Sequence, residues 1–228
     1  MPDARETWGR ELSEEIEFWR SYFLTRGRDW PDDYDQRLNP EGSMPEYLTC
    51  LLPEHQAECR VLDVGSGPIS KVGPVCPGRN VTLIAVDALA DEYNKLLADF
   101  GIVPRVPTLK CEAEKLTEVF DEDYFDVSHA MNSLDHSYNP LEAIRQMVTV
   151  TKPGGYVRLE HRVNEGENEE YHGLHQWNFD IRDEGLFVWN RERTINISRA
   201  VGSLVEIQLW KSKKFCSVLM RKLASGRS

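Results

Sequence analysis

The 228-residue sequence predicts an α/β protein built on a doubly wound, mostly parallel sheet. Three observations carry that prediction. Short apolar runs alternate with stretches of helical periodicity between Cys59 and Glu160. The runs are continuously apolar, as strands covered on both faces must be. The first of them ends in Gly65-Ser66-Gly67, a turn that lets a ligand approach the backbone.

The elements follow in order. Residues 7–24 place Trp8, Leu12, Ile16, Trp19 and Phe23 at helical steps, one apolar stripe that Gly27 would stop. Residues 29–45 mix Pro31, Pro40, Gly42 and Pro45 with charges, Trp30 and Tyr34, and read as an irregular connection. It is either a lid over a pocket or a packed decoration. Strands follow at 60–64 and 80–86, the second ending at Asp87. Leu89, Tyr93, Leu96 and Leu97 then predict a helix over 88–100. A third strand lies near 105–110 and a fourth at 124–130. Residues 140–150 carry Leu141, Ile144, Met147 and Val148 on one helix face, and Pro153-Gly154-Gly155 turns the chain into a fifth strand, 156–160. Residues 204–210 and 215–222, joined by Lys211-Ser212-Lys213-Lys214, predict an antiparallel hairpin at the sheet edge. The chain thus divides into an N-terminal helical extension with a lid-like loop, 1–58, and a main domain, 59–228, with an insertion at 164–199.

Composition narrows the partners. The formal net charge of −11 argues against a surface that grips polyanions, so no nucleic-acid partner is expected. No apolar run approaches the roughly 18 residues of a membrane span. The charged first residues lack a secretory signal. Five scattered cysteines, never spaced C-x-x-C, predict free thiols in a reducing cytoplasm.

The glycine turn departs from the dinucleotide fingerprint, because Ser70 stands at its third glycine. Asp63, just ahead of the turn, suits a cationic ligand group better than a pyrophosphate. Asp87 stands about 20 residues on, where a carboxylate accepts from ribose hydroxyls. A ribose-bearing ligand with a cationic end fits, and S-adenosylmethionine is one.

Here the residues resemble a family. Val61-Leu62-Asp63-Val64-Gly65-Ser66-Gly67 resembles motif I of the class I S-adenosylmethionine-dependent methyltransferases. Cys111-Glu112-Ala113-Glu114-Lys115-Leu116 is similar to the family's G-D-A-x-x-L, with Cys for Gly and Glu for Asp. Phe125-Asp126-Val127, continuing to Leu134-Asp135-His136-Ser137-Tyr138-Asn139-Pro140, resembles F-D-x-V…L-x-H-x-x-D-P. Thr151-Lys152-Pro153-Gly154-Gly155 is like L-K-P-G-G. The likeness covers about 59–161 and the terminal strand pair. It implies a Rossmann-like fold, methyl transfer and S-adenosyl-L-methionine as cofactor. It also implies roles: Asp63, Gly65, Ser66 and Gly67 at the methionine end, Asp87 on the ribose, and Ala88, Leu89, Glu112 and Ala113 around adenine. Asn132 would close over the sulfonium. Gly73, Pro74, Pro77 and Gly78 leave room for only a short helix after the turn.

For the acceptor, His136 and His161 are the candidate bases, both at the carboxyl edge of the sheet. The insertion offers Tyr171, His172, His175 and Trp177, stacking faces and polar groups suited to a hydroxyl-rich ligand, or the core of a small cap. Glu160, His161, His172 and His175 offer metal donors. His172-x-x-His175 lacks the further spaced ligands a site needs, so no metal is expected. The expectation is transfer of a methyl group to a small-molecule or saccharide acceptor, at a hydroxyl oxygen, by a monomer or homodimer. The alternatives are an RNA or protein methyltransferase, for which the basic stretch 193–228 speaks, and a non-catalytic cofactor-binding module.

Overall fold

A computed structural model describes residues 4–183 and 185–224. The chain opens with α1 (Ala4–Leu24), α2 (Pro31–Leu38) and α3 (Glu46–Thr49). It then runs β1 (Glu58–Val64), β2 (Asn80–Asp87), α4 (Ala90–Asp99), β3 (Thr108–Lys110), β4 (Phe125–Met131), α5 (Pro140–Val150) and β5 (Thr151–Arg162). The insertion holds α6 (Glu165–Asn168), β6 (Asn178–Arg182), β7 (Gly185–Trp189), β8 (Thr194–Asn196) and α7 (Ile197–Val201). β9 (Val205–Lys211) and β10 (Phe215–Lys222) close it.

The main sheet has the order β3-β2-β1-β4-β5-β10-β9. β1 to β5 are parallel, and β10 inserts antiparallel between β5 and β9. This is the Rossmann-like arrangement with an antiparallel terminal hairpin. The order reverses between β1 and β4, which opens a crevice at the carboxyl ends of those strands. One face packs Ile144, Met147 and Val148 of α5 and Val201 of α7 against Leu62, Leu159 and Val218. The other carries Met44, Leu48 and Leu52 against Val61, Val72, Leu83 and Val127.

Three departures from the sequence reading have physical causes. Residues 29–45 are not irregular throughout, because α2 forms within them. Pro31 stands at its first turn with Asp32 and Asp33, and Arg37 lies in its last turn, so fixed φ and macrodipole both favour it. No helix forms between β1 and β2. The α3 segment covers that part of the sheet instead, with Ser43 bridged to Val75. The insertion is a second sheet, β6-β7-β8, wholly antiparallel. Its Phe179, Leu186 and Val188 join the main core, so it is part of the packed body.

The N-terminal helix is likewise built in. Trp19, Tyr22 and Phe23 form a buried cluster with Leu89, Tyr93, Leu96 and Leu97. No helix among the described residues is long and apolar enough to cross a membrane.

Asp126, 2% exposed, ties three segments together. It accepts from the Arg60 N–H at 2.8 Å, Gln56 Nε2 at 3.3 Å and Lys152 Nζ at 2.7 Å. Asp126→Ala should therefore lower the unfolding free energy by about 2–4 kcal/mol, measured by urea denaturation.

Candidate functional site

The crevice at the strand ends is a solvent-open cleft that encloses about 790 Å³ of space, open solvent included. Its floor is the glycine turn. Gly65 and Gly67 both have φ of +67°, a conformation that favours glycine. Space is as strict as torsion here. A Cβ on Gly65 would collide with Ser133, and one on Gly67 would lie 2.8 Å from the Trp19 ring. α2 holds the turn from outside: Arg37 donates to the carbonyls of Ile69 and Ser66, pairs with Asp33 and stacks its guanidinium over Trp19.

Asp87 lines the cleft and accepts from the backbone N–H groups of Gly67 at 3.0 Å and Leu89 at 2.9 Å. Burial pushes its carboxyl up to about 6, against those two hydrogen bonds. Two oxygens so placed keep lone pairs for hydroxyl donors of a ligand. Ser66, Ala88, Leu89, Ala113 and Asn132 line the same space. Asn132 adopts φ of +47°, and its side chain turns away to accept from the Arg162 N–H at 3.1 Å.

Two acids of the expected cofactor set stand elsewhere. Asp63 is buried behind the turn, its oxygens taken by His129 Nδ1 at 2.9 Å and Ser70 Oγ at 2.6 Å. It braces the turn instead of facing the cleft. Glu112 is drawn outward by Arg5, by Tyr138 OH at 3.0 Å and by Lys115 Nζ at 3.3 Å. Its neighbour Glu114 lines the cleft and accepts from the Asn139 N–H at 3.0 Å. Burial pushes the Glu114 carboxyl up to about 7.

At the other end of the cleft, the loop after β4 carries Asp135 and His136. Asp135 is 1% exposed. His175 Nδ1 stands 2.9 Å from Asp135 Oδ2, and His136 Nε2 lies 3.0 Å from that same Nδ1. Burial works to raise the Asp135 carboxyl. The His136 charge, the hydrogen bond from His175 and the His161 charge outweigh it and hold the group at about 2. Burial works to lower the His175 pKa, but the Asp135 carboxylate raises it on balance. His136 lines the cleft, and the Trp8 indole donates to its carbonyl at 2.7 Å.

His161 has a different setting from His136. It lies behind Asp135, 2% exposed and stacked on Phe179, and burial pushes it down to about 4 against the pull of Asp135. Of the two candidate bases only His136 reaches the cleft. The insertion residues also separate. His175 joins the cluster, and its neighbour Leu174 lines the cleft. Trp177 is 3% exposed, donating to the Ser137 carbonyl at 2.9 Å, and is core. Tyr171 accepts from Asn178 and lies under Arg191, and His172 is exposed beside Glu14. Glu160 pairs with Arg158. None of these four lines the cleft.

The sequence reading missed Trp8, Leu12, Glu15 and Trp19 of α1, all on the cleft wall. Their helical spacing was visible. That the stripe faces a cleft as well as a core was not.

Residues 62–159 match a family described as a methyltransferase domain. A tRNA U34 carboxymethyltransferase from Syntrophotalea carbinolica is 30% identical over 113 residues, 48% of this chain and 34% of that protein. The chain thus spans about a third of that relative's length. Among solved structures, the CMeT domain of the citrinin polyketide synthase superposes with a TM-score of 0.56 at 14% identity, over 79% of this chain and 50% of that one. The [4+2]-cyclase SpnF superposes at 0.51 and 14% identity, over 78% and 80%. At such identities these two likenesses show the fold alone.

The raised Glu114 carboxyl makes a stability prediction. Its folded pKa, about 7, lies above the unfolded value of 4.5, so ionisation opposes folding as pH rises through that window. Glu114→Gln, which keeps an acceptor for the Asn139 N–H, should be more stable than wild type at pH 8 by roughly 1–3 kcal/mol. The advantage should shrink towards pH 4.5, as read by denaturation at a series of pH values.

Proposed function

We propose that the chain, whose residues 62–159 match a methyltransferase-domain family, is an S-adenosylmethionine-dependent methyltransferase that methylates a hydroxyl oxygen of a small-molecule or saccharide acceptor. The observation that carries this reading is the Asp135–His175–His136 cluster at the end of the cleft. Methyl transfer from a sulfonium is an in-line displacement with a good leaving group already in place. The protein must align the acceptor and, for a hydroxyl, accommodate the proton it releases.

The cofactor half follows from the cleft floor. Gly65 and Gly67 let the ligand lie against backbone, and Asp87 accepts from the ribose diol. Ala88, Leu89 and Ala113 would flank the adenine, and the Asn132 backbone would lie by the sulfonium end. The acceptor oxygen then stands near His136. Asp135, ionised throughout the neutral range, stabilises positive charge on the imidazole pair, so a proton leaving the hydroxyl has a place to go. His161 is set back from the cleft behind Asp135 and takes no part in the transfer. The five free thiols fit a reducing compartment such as the cytoplasm.

A second reading has one observation in its favour: the relative named for tRNA U34. The excess of acid over base across the chain, giving −11, weighs against it.

Calorimetry with S-adenosylmethionine, followed by turnover with sugars, phenols and tRNA, tests the proposal. Binding followed by turnover of a hydroxylated small molecule is expected. Turnover with tRNA alone sinks the small-molecule reading, and binding with no turnover favours a non-catalytic module. Asp87→Ala should weaken cofactor binding about tenfold or more, roughly one charge-assisted hydrogen bond. His136→Ala should leave that affinity in place and lower kcat by about 10²–10⁴-fold.

A further inference from the structure

We propose that Asp135, His136 and His175 form a binding site for a divalent transition-metal cation at the acceptor end of the cleft. Three donor atoms converge there. His136 Nε2 is 3.0 Å from His175 Nδ1, His175 Nδ1 is 2.9 Å from Asp135 Oδ2, and His136 Nε2 is 3.4 Å from the same Oδ2. Donors bound about 2.1 Å from one cation, in tetrahedral or octahedral array, stand roughly 3.0–3.4 Å apart. Two edges of the triangle have that size and the third, at 2.9 Å, falls just short of it. These are the same three residues whose potential ligand atoms all lie within 4.8 Å of one another.

Protons alone serve this triangle poorly. The ionised carboxylate oxygen brings only lone pairs, and each inward-facing ring nitrogen brings either one lone pair or one N–H. With one inward proton, two lone pairs face each other along one edge. With two, a pair of N–H groups oppose each other at the His136–His175 edge. A cation accepts one lone pair from all three donors at once.

A second observation points the same way. Asp135 Oδ1 is buried and accepts no hydrogen bond among the described residues. His161 Nδ1 stands 4.0 Å from it, and neither nitrogen of that ring is paired among the described residues. A buried carboxylate oxygen normally has a hydrogen-bond donor or a metal as its partner. The surroundings are arranged to support ligands. Glu15 Oε2 lies 3.8 Å from the outer nitrogen of His136, the position of the carboxylates that orient metal-bound imidazoles. The Gln176 N–H donates to the Asp135 carbonyl at 3.2 Å, fastening the two ligand-bearing segments together.

Two imidazoles and one carboxylate select a borderline cation of the Zn²⁺ or Fe²⁺ kind over Mg²⁺ or Ca²⁺. This set differs from Glu160, His161 and His172, which do not gather around one point. Cation binding stands independently of the methyltransferase reading; its place beside the methyl acceptor rests on that reading. There the bound cation would take the place of the imidazole pair: it would hold the acceptor's oxygen and ease the loss of its proton to solvent.

The test uses the chelator-stripped full chain titrated with Co²⁺ and followed by visible absorption. One equivalent per chain with ligand-field bands is expected. His136→Ala and His175→Gln, each with wild-type far-UV circular dichroism, should weaken binding at least tenfold, while His172→Ala should retain it. Failure of the folded wild-type chain to bind one equivalent overturns the proposal, as does equal binding by the His136 and His175 variants. Stoichiometric Co²⁺ with no methyl transfer to any acceptor supports the metal site and counts against the methyltransferase reading.

Discussion

A buried negative charge organises the working end of this molecule. Asp135 is 1% exposed, and an ion so placed is tolerated only when counter-charge or strong hydrogen bonds reach it. Two histidines answer it, His136 from the adjoining residue and His175 from the insertion, while His161 of β5 stands 4.0 Å off. The insertion is therefore fixed to the sheet by electrostatics as well as by packing. Trp177, donating to the Ser137 carbonyl while its ring joins the main core, does both at one residue.

The opposite end depends on close approach. Gly67 lies so near the Trp19 ring that no side chain fits between them. Trp19 in turn is held by the Arg37 guanidinium and by its indole bond to Glu15 at 2.8 Å. The N-terminal helix thus walls the cleft and stiffens the turn at once. Glu15 connects the two ends, bonding Trp19 on one side and facing His136 on the other.

Charge position matters more than charge total. Asp63 and Glu112 look equivalent to Asp87 in the sequence, yet each spends its oxygens on the protein: Asp63 on His129 and Ser70, Glu112 on Arg5, Tyr138 and Lys115. Among the described residues Asp87 bonds only backbone N–H groups, and it lines the cleft. An acid's role is set by what its neighbours take from it.

The sequence by itself determined the sheet. Continuous apolar runs at β1, β2 and β4, the glycine turn after β1 and the apolar face of α5 are local patterns, and local patterns survive reading one residue at a time. It also placed Asp87, because the distance from turn to strand end is fixed by strand and loop length. Tertiary structure alone decided the rest. The antiparallel insertion sheet rests on pairings across turns whose residues carried no strong signal. The pairing of Asp135 with His175, 40 residues apart, exists only because the insertion folds back over the strand ends. The same folding buried Trp177 and left His172 in solvent, although both read as equal members of one aromatic and polar stretch. Spacing can nominate a side chain, but burial and the donors around it assign its chemistry.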